Sequence, residues 1–83
     1  GQAEVDLPDG SHYRGQVRDG LPDGEGRLEY HDGRIYEGEF SLGHREGHGV
    51  YTYPDGSRYQ GEFKDDQFDG QGEYRFRDGS VYK

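Results

Sequence analysis

GHGVYTYPDGSRYQGEF, residues Gly47 to Phe63, decides how this chain folds. Two alternating runs flank Pro54-Asp55-Gly56. Alternation marks strands, and a turn between two such runs marks a β-hairpin. Two turns fit the Asp-Gly pair. One is a two-residue type I′ loop; the other is a type I turn closed by a left-handed residue in a G1 bulge. Pro54 suits the second position of a type I turn, because its φ is already fixed at about −65°. Gly56 then supplies the left-handed residue. With this three-residue loop Tyr53 faces Ser57, Tyr51 faces Tyr59 and Gly49 faces Gly61. Tyr51, Tyr53, Tyr59 and Phe63 then share one face. The two-residue loop slips the register and sends Tyr59 to the opposite face. We expect the three-residue loop, since it alone gathers the aromatic side chains.

The stretch is one copy of a repeat. Shifted by 23 residues, the chain matches itself: Asp-Gly recurs with Gly10, Gly33, Gly56 and Gly79, and Tyr13, Tyr36, Tyr59 and Tyr82 follow each. Gly15, Gly38 and Gly61 are in phase, as are Val17, Phe40 and Phe63. The Gly-x-Gly pairs Gly24/Gly26, Gly47/Gly49 and Gly70/Gly72 keep the same spacing, as do Leu28, Tyr51 and Tyr74, and Leu7, Tyr30, Tyr53 and Phe76. Only Phe68 among the aromatics stands outside these phased positions. Fixed periods of this length signal stacked repeats. We divide residues 1–83 into a partial unit 1–17, units of about 18–40 and 41–63, and a partial unit 64–83. Both ends therefore read as truncated, or as points where the array continues in a longer parent.

The same register places Leu28, Tyr30, Tyr36 and Phe40 on the aromatic face of the preceding unit. The other face is mostly charged. Paired glycines leave a notch that neighbouring rings can cover. Between hairpins, runs such as Ser41 to Glu46 must turn the chain back, with Gly20, Gly43 and Asp66 in left-handed backbone. The expected fold is all-β: an elongated, single-layer antiparallel meander of about eight strands. At ~4.8 Å per strand it would be nearly ~40 Å long. No segment spaces apolar residues for a helix.

Composition alone points the other way. Only 27% of residues are hydrophobic, and Leu, Ile, Val and Phe together number 13 of 83. With a net charge of -8, that is the profile of a disordered segment. Eight tyrosines in phase argue against disorder. The absence of cysteine removes disulfides, thiolate metal sites and thiol nucleophiles. No apolar run spans a bilayer and no signal peptide opens the chain, so a soluble segment of undetermined compartment is expected.

Units such as RIYEGEFSLGHREGHGVYTYPDG and SRYQGEFKDDQFDGQGEYRFRDG resemble MORN repeats, whose hallmark is Y-x-G-x-aromatic followed by G-x-G. Here the hallmark reads Tyr36-Gly38-Phe40 with Gly47-Gly49, and Tyr59-Gly61-Phe63 with Gly70-Gly72. The first unit departs from it, with Val17 in place of the aromatic. The resemblance covers essentially the whole chain. It implies hairpin arrays with a shallow groove that scaffold other proteins, hold a partner helix or peptide, self-associate, or flank catalytic domains. Phospholipid contact is also attributed to the family.

The expected partner-binding residues are those of the aromatic face: Tyr13, Leu28, Tyr30, Tyr36, Phe40, Tyr51, Tyr53, Tyr59, Phe63, Tyr74 and Phe76. A contiguous aromatic patch marks an interaction site, and tyrosine is enriched at binding hot spots. The competing reading is that these rings pack on one another as a minimal core. Gly10, Gly33, Gly56 and Gly79 are expected to serve turns, and Gly38, Gly49, Gly61 and Gly72 the notch. An acidic array repels phosphate backbones, so nucleic acid is not expected, and anionic membrane lipid is disfavoured. A protein or peptide, a basic amphipathic helix in particular, is the expected partner, with self-association through the groove or end strands as a second expectation. The charges equally serve to keep an open sheet in solution.

No metal or cofactor is expected. His44 and His48 have the spacing of a helical zinc pair, but we read them in a glycine-broken loop. Asp65, Asp66 and Asp69 cluster in an inter-repeat loop without the ladder of a calcium loop. The Gly-x-Gly pairs lack the Lys-Ser/Thr of a phosphate loop. A catalytic constellation occurs once, whereas these positions recur, so we expect no enzyme. The alternatives are an accessory segment of a larger enzyme of methyltransferase or lipid-kinase type, or a phospholipid-recognition module.

Overall fold

A computed structural model describes all residues from Gly1 to Lys83. Its eight strands are β1 (Gln2–Asp6), β2 (His12–Arg18), β3 (Leu21–Glu29), β4 (Ile35–Ser41), β5 (His44–Thr52), β6 (Arg58–Lys64), β7 (Gln67–Arg75) and β8 (Val81–Tyr82). They form one open antiparallel sheet in chain order, 39 Å long. There is no helix, and so none long and apolar enough to cross a membrane.

Two kinds of turn alternate along the chain. At Pro54-Asp55-Gly56 the Gly56 N–H donates to Tyr53 O at 3.0 Å, and Tyr53 N–H donates to Ser57 O at 2.8 Å. Gly56 has φ +94°, which a Cβ would strain. This is the three-residue loop with its G1 bulge, and Tyr51 pairs with Tyr59 and Gly49 with Gly61 as expected. Asp55 steadies the turn by accepting from Ser57 N–H at 2.9 Å. Equivalent bonds close the turns before Ser11, Arg34 and Ser80.

The second kind corrects the expected loops. Asp19-Gly20, Leu42-Gly43 and Asp65-Asp66 each have two consecutive positive φ angles, the mark of a two-residue type I′ hairpin turn. The left-handed Gly20, Gly43 and Asp66 were expected; the residue before each was not. Strands run directly out of these turns. His44 and His48 consequently lie in β5 rather than in a loop, and Asp69 lies in β7 rather than beside Asp65 and Asp66. A few residues on, the ladder slips between Gly38 and Phe40 and at the matching points of β2 and β6. Such bulges increase the right-handed twist of the strand pair.

That twist lets a single sheet enclose a core. Tyr13, Tyr36, Phe40, Tyr51, Tyr59 and Phe63 are buried, with Tyr36 at 0% exposure. Tyr13, Tyr36 and Tyr59 each lie across a glycine pair, respectively Gly15–Gly26, Gly38–Gly49 and Gly61–Gly72. Their hydroxyls donate to the carbonyls of Gln16, Glu39 and Glu62. Phe40 wedges edge-on between Tyr13 and Tyr36, at 5.3 and 5.0 Å between ring centroids. Phe63 does the same between Tyr36 and Tyr59, at 4.9 and 5.3 Å. Edge-to-face pairs add about 0.5–1.5 kcal/mol each beyond the area they bury.

Candidate functional site

The core takes six of the eleven residues expected to meet a partner: Tyr13, Tyr36, Phe40, Tyr51, Tyr59 and Phe63. Their burial leaves almost no surface to offer, so for these six the reading as a self-packed core describes what they do here. Leu28, Tyr30, Tyr53 and Tyr74 are half-buried against that core. Phe76 is 47% exposed.

Phe68, the aromatic outside the phased set, joins this surface. Its ring stacks on Tyr59 at 4.0 Å and 17°, yet 46% of the residue is exposed. It was missed because its counterparts are Pro22 and Arg45, which carry no shared chemistry. Register is the signal that could have found it: Pro22, Arg45 and Phe68 sit opposite Val17, Phe40 and Phe63. Phe68, Tyr74, Phe76 and Tyr82, over Tyr59, line an open hollow of about 600 Å³ with Asp69 and Lys83 at its rim. A hollow of similar size on the charged face has no hydrophobic lining residue.

One unit earlier the same face is covered by arginines. The Arg45 guanidinium lies 4.8 Å from the Tyr51 ring centroid and 5.8 Å from that of Phe63. Arg34 lies 4.9 Å from the Tyr30 centroid and donates through Nη1 to Tyr51 Oη at 2.7 Å. Burial pushes the Tyr30, Tyr36 and Tyr53 phenols up from their ordinary value, so they remain neutral in ordinary buffers.

Successive type I′ turns are tied across the repeat. His44 Nδ1 is 2.8 Å from Asp66 Oδ2, and Arg45 N–H donates to Asp66 Oδ1 at 2.8 Å. His48 pairs with a different carboxylate, Glu62, at 2.9 Å. The two histidines thus serve separate ion pairs. The bond to Asp66 raises the His44 imidazole above its ordinary 6.5. Burial pushes the Asp66 carboxyl up, but the bonds from His44 and Arg45 outweigh it and hold the group below 3.8.

A raised imidazole contributes stability that is fully present below its unfolded value and lost as pH climbs through its folded one. A lowered carboxyl contributes above its unfolded value and loses this as pH falls through its folded one. The clasp therefore holds best between pH 3.8 and 6.5. His12, bonded to Asp6, is raised as well and acts in the same direction. Both pairs are exposed, so the effect is small. Urea denaturation should show a modest loss of stability from pH 6.5 upward, and His44→Gln should flatten part of that slope. An unchanged slope in the variant would remove His44 from this account.

These features define an open, single-layer array of hairpin repeats whose rings form both its core and an exposed apolar surface. The family model for the MORN repeat matches residues 13–33, 36–58 and 59–81, and the chain belongs to that family. A comparison with curated proteins finds no match.

Proposed function

We propose that the segment is a non-catalytic protein-interaction module that takes a peptide or helix of a partner on the aromatic face around Phe68, Phe76 and Tyr82. The observation that carries this reading is the hollow beside β7 and β8, where three large apolar side chains stay between 46% and 70% exposed. Contiguous exposed aromatics favour burial against a partner. The net charge of -8 favours a basic partner and opposes anionic lipid and nucleic acid. The repetition of the phased positions supports an absence of catalysis, because a reacting constellation has no use for copies of itself.

Selection of a random displayed peptide library on the immobilised segment tests this. Peptides should be enriched whose binding falls when Phe68 and Phe76 are both changed to serine, with the sheet preserved by circular dichroism. No enrichment, or enriched peptides indifferent to both changes, would reject the reading.

A further inference from the structure

The repeat contains an arginine receptor filled by the chain's own side chain, and one unit later the same receptor without its arginine. In the filled copy Asp32 accepts from Arg34 Nε at 2.8 Å. The guanidinium lies over Tyr30 and reaches Tyr51 Oη. The two rings are 5.9 Å apart. Moving 23 residues on, Asp55, Tyr53 and Tyr74 replace Asp32, Tyr30 and Tyr51. The rings Tyr53 and Tyr74 are again 5.9 Å apart, though at 40° rather than 76°. Where Arg34 stands, this copy has Ser57, and the other arginine of the filled copy, Arg45, is replaced by Phe68. The one unit with acid and both rings but no arginine thus adjoins the exposed aromatic surface.

The space the arginine would need is open. A hollow of about 460 Å³ is bordered by Asp55, Ser57, Tyr74 and Phe76. Tyr74 Oη, whose counterpart accepts from Arg34, reaches only Ser57 Oγ at 3.4 Å. Asp55 is engaged by Ser57 alone. Arg77 and Asp78 also line the hollow, and the Arg77 charge lowers the Asp55 carboxyl further, after the bonds from Ser57. Arg77 nevertheless lies over neither ring, as Arg34 does over Tyr30. The first unit has Asp9 and Ser11 but Leu7 and Leu28 in place of the rings, so it offers no aromatic wall.

We propose that the hollow bordered by Asp55, Ser57 and Tyr74 receives an arginine side chain of a partner peptide, its guanidinium against the Tyr74 ring and the Asp55 carboxylate. This rests on the peptide-binding reading above and names the anchor residue of the ligand. A guanidinium suits the site because it can stack on an aromatic face and donate to a carboxylate at once.

The probes are a short acetylated peptide with one arginine between leucines and its citrulline counterpart, which keeps the shape and loses the charge. They are titrated into the whole segment while the Tyr53 and Tyr74 ring signals are followed by NMR. The arginine peptide should bind about tenfold more tightly than the citrulline one, the factor that one cation–π contact joined to a charge-assisted bond would give. Asp55→Asn, an exposed change, should remove most of that preference. Ser57→Arg, which installs the side chain already accommodated at position 34, should fill the hollow and abolish it. Equal binding of the two peptides, or a preference that survives both variants, would overturn the site and leave the broader reading to stand on the library selection. Failure of both peptides to bind would overturn it too; enriched library peptides without a required arginine would then show that only the anchor was misassigned.

Discussion

Tyr36→Ala should cost about 3–5 kcal/mol, the range for deleting a large buried aromatic. Tyr36 is the most deeply buried ring in the sheet. It is the edge-to-face neighbour of both Phe40 and Phe63, so its loss opens the core on two sides. Removing it also strips the cover from Gly38 and Gly49. A small domain has roughly 5–15 kcal/mol in all, so a loss of this size is a large share of its margin. Tyr36→Phe keeps the ring and loses only the donation to Glu39 O, 2.7 Å in length, and should cost about 1 kcal/mol. Urea denaturation followed by far-ultraviolet circular dichroism gives both values. A Tyr36→Ala protein as stable as the parent would mean that the ring is not the centre of the core.

Gly38→Ala is the second large effect expected. An added Cβ would lie 2.5 Å from Gly49 Cα and 2.5 Å from His48 O. Both are backbone atoms of the paired strand, so no side chain can swing away and the strands themselves must separate. Overpacking costs about 1–3 kcal/mol where a core can adjust, and here we expect the upper end or more. Gly49→Ala is a different case. Its Cβ would run into the Tyr36 ring, from Oη to Cε1. In a Tyr36→Ala background the clash is gone, so Gly49→Ala should cost much less than it does alone. Residues that share a contact are expected to be non-additive in this way. Strict additivity of the pair would show that the ring does not lie over Gly49.

The register was legible because two independent features agreed on it. Pro54-Asp55-Gly56 favours a three-residue turn, and only that turn brings Tyr51, Tyr59 and Phe63 to one face; the paired strands follow it. The tight type I′ turns were not legible. Leu42 takes left-handed backbone, which its chemistry does not advertise, so the run after Ser41 read as a loop. The depth of burial was hidden for a related reason. Gly24 and Gly47 read only as members of the phased Gly-x-Gly pairs, whereas their left-handed φ lies within the slips of the ladder that twist the sheet around its own rings. A flat sheet would have exposed all eleven residues of the expected site, and the twisted one buries six of them. Phe68 escaped because periodicity detects sameness, and the position it fills is taken by proline, arginine and phenylalanine in turn.

What everything else depends on is the placement of three tyrosine rings flat against the backbone of glycine pairs. Proton chemical shifts of the glycine Hα atoms read this directly, because a proton held under an aromatic ring moves upfield. Gly26, Gly49 and Gly72, which lie beneath Tyr13, Tyr36 and Tyr59, should be shifted strongly upfield, while Gly20 and Gly56, with nothing near them, should resonate normally. Ordinary shifts at all three of the covered glycines would contradict the account.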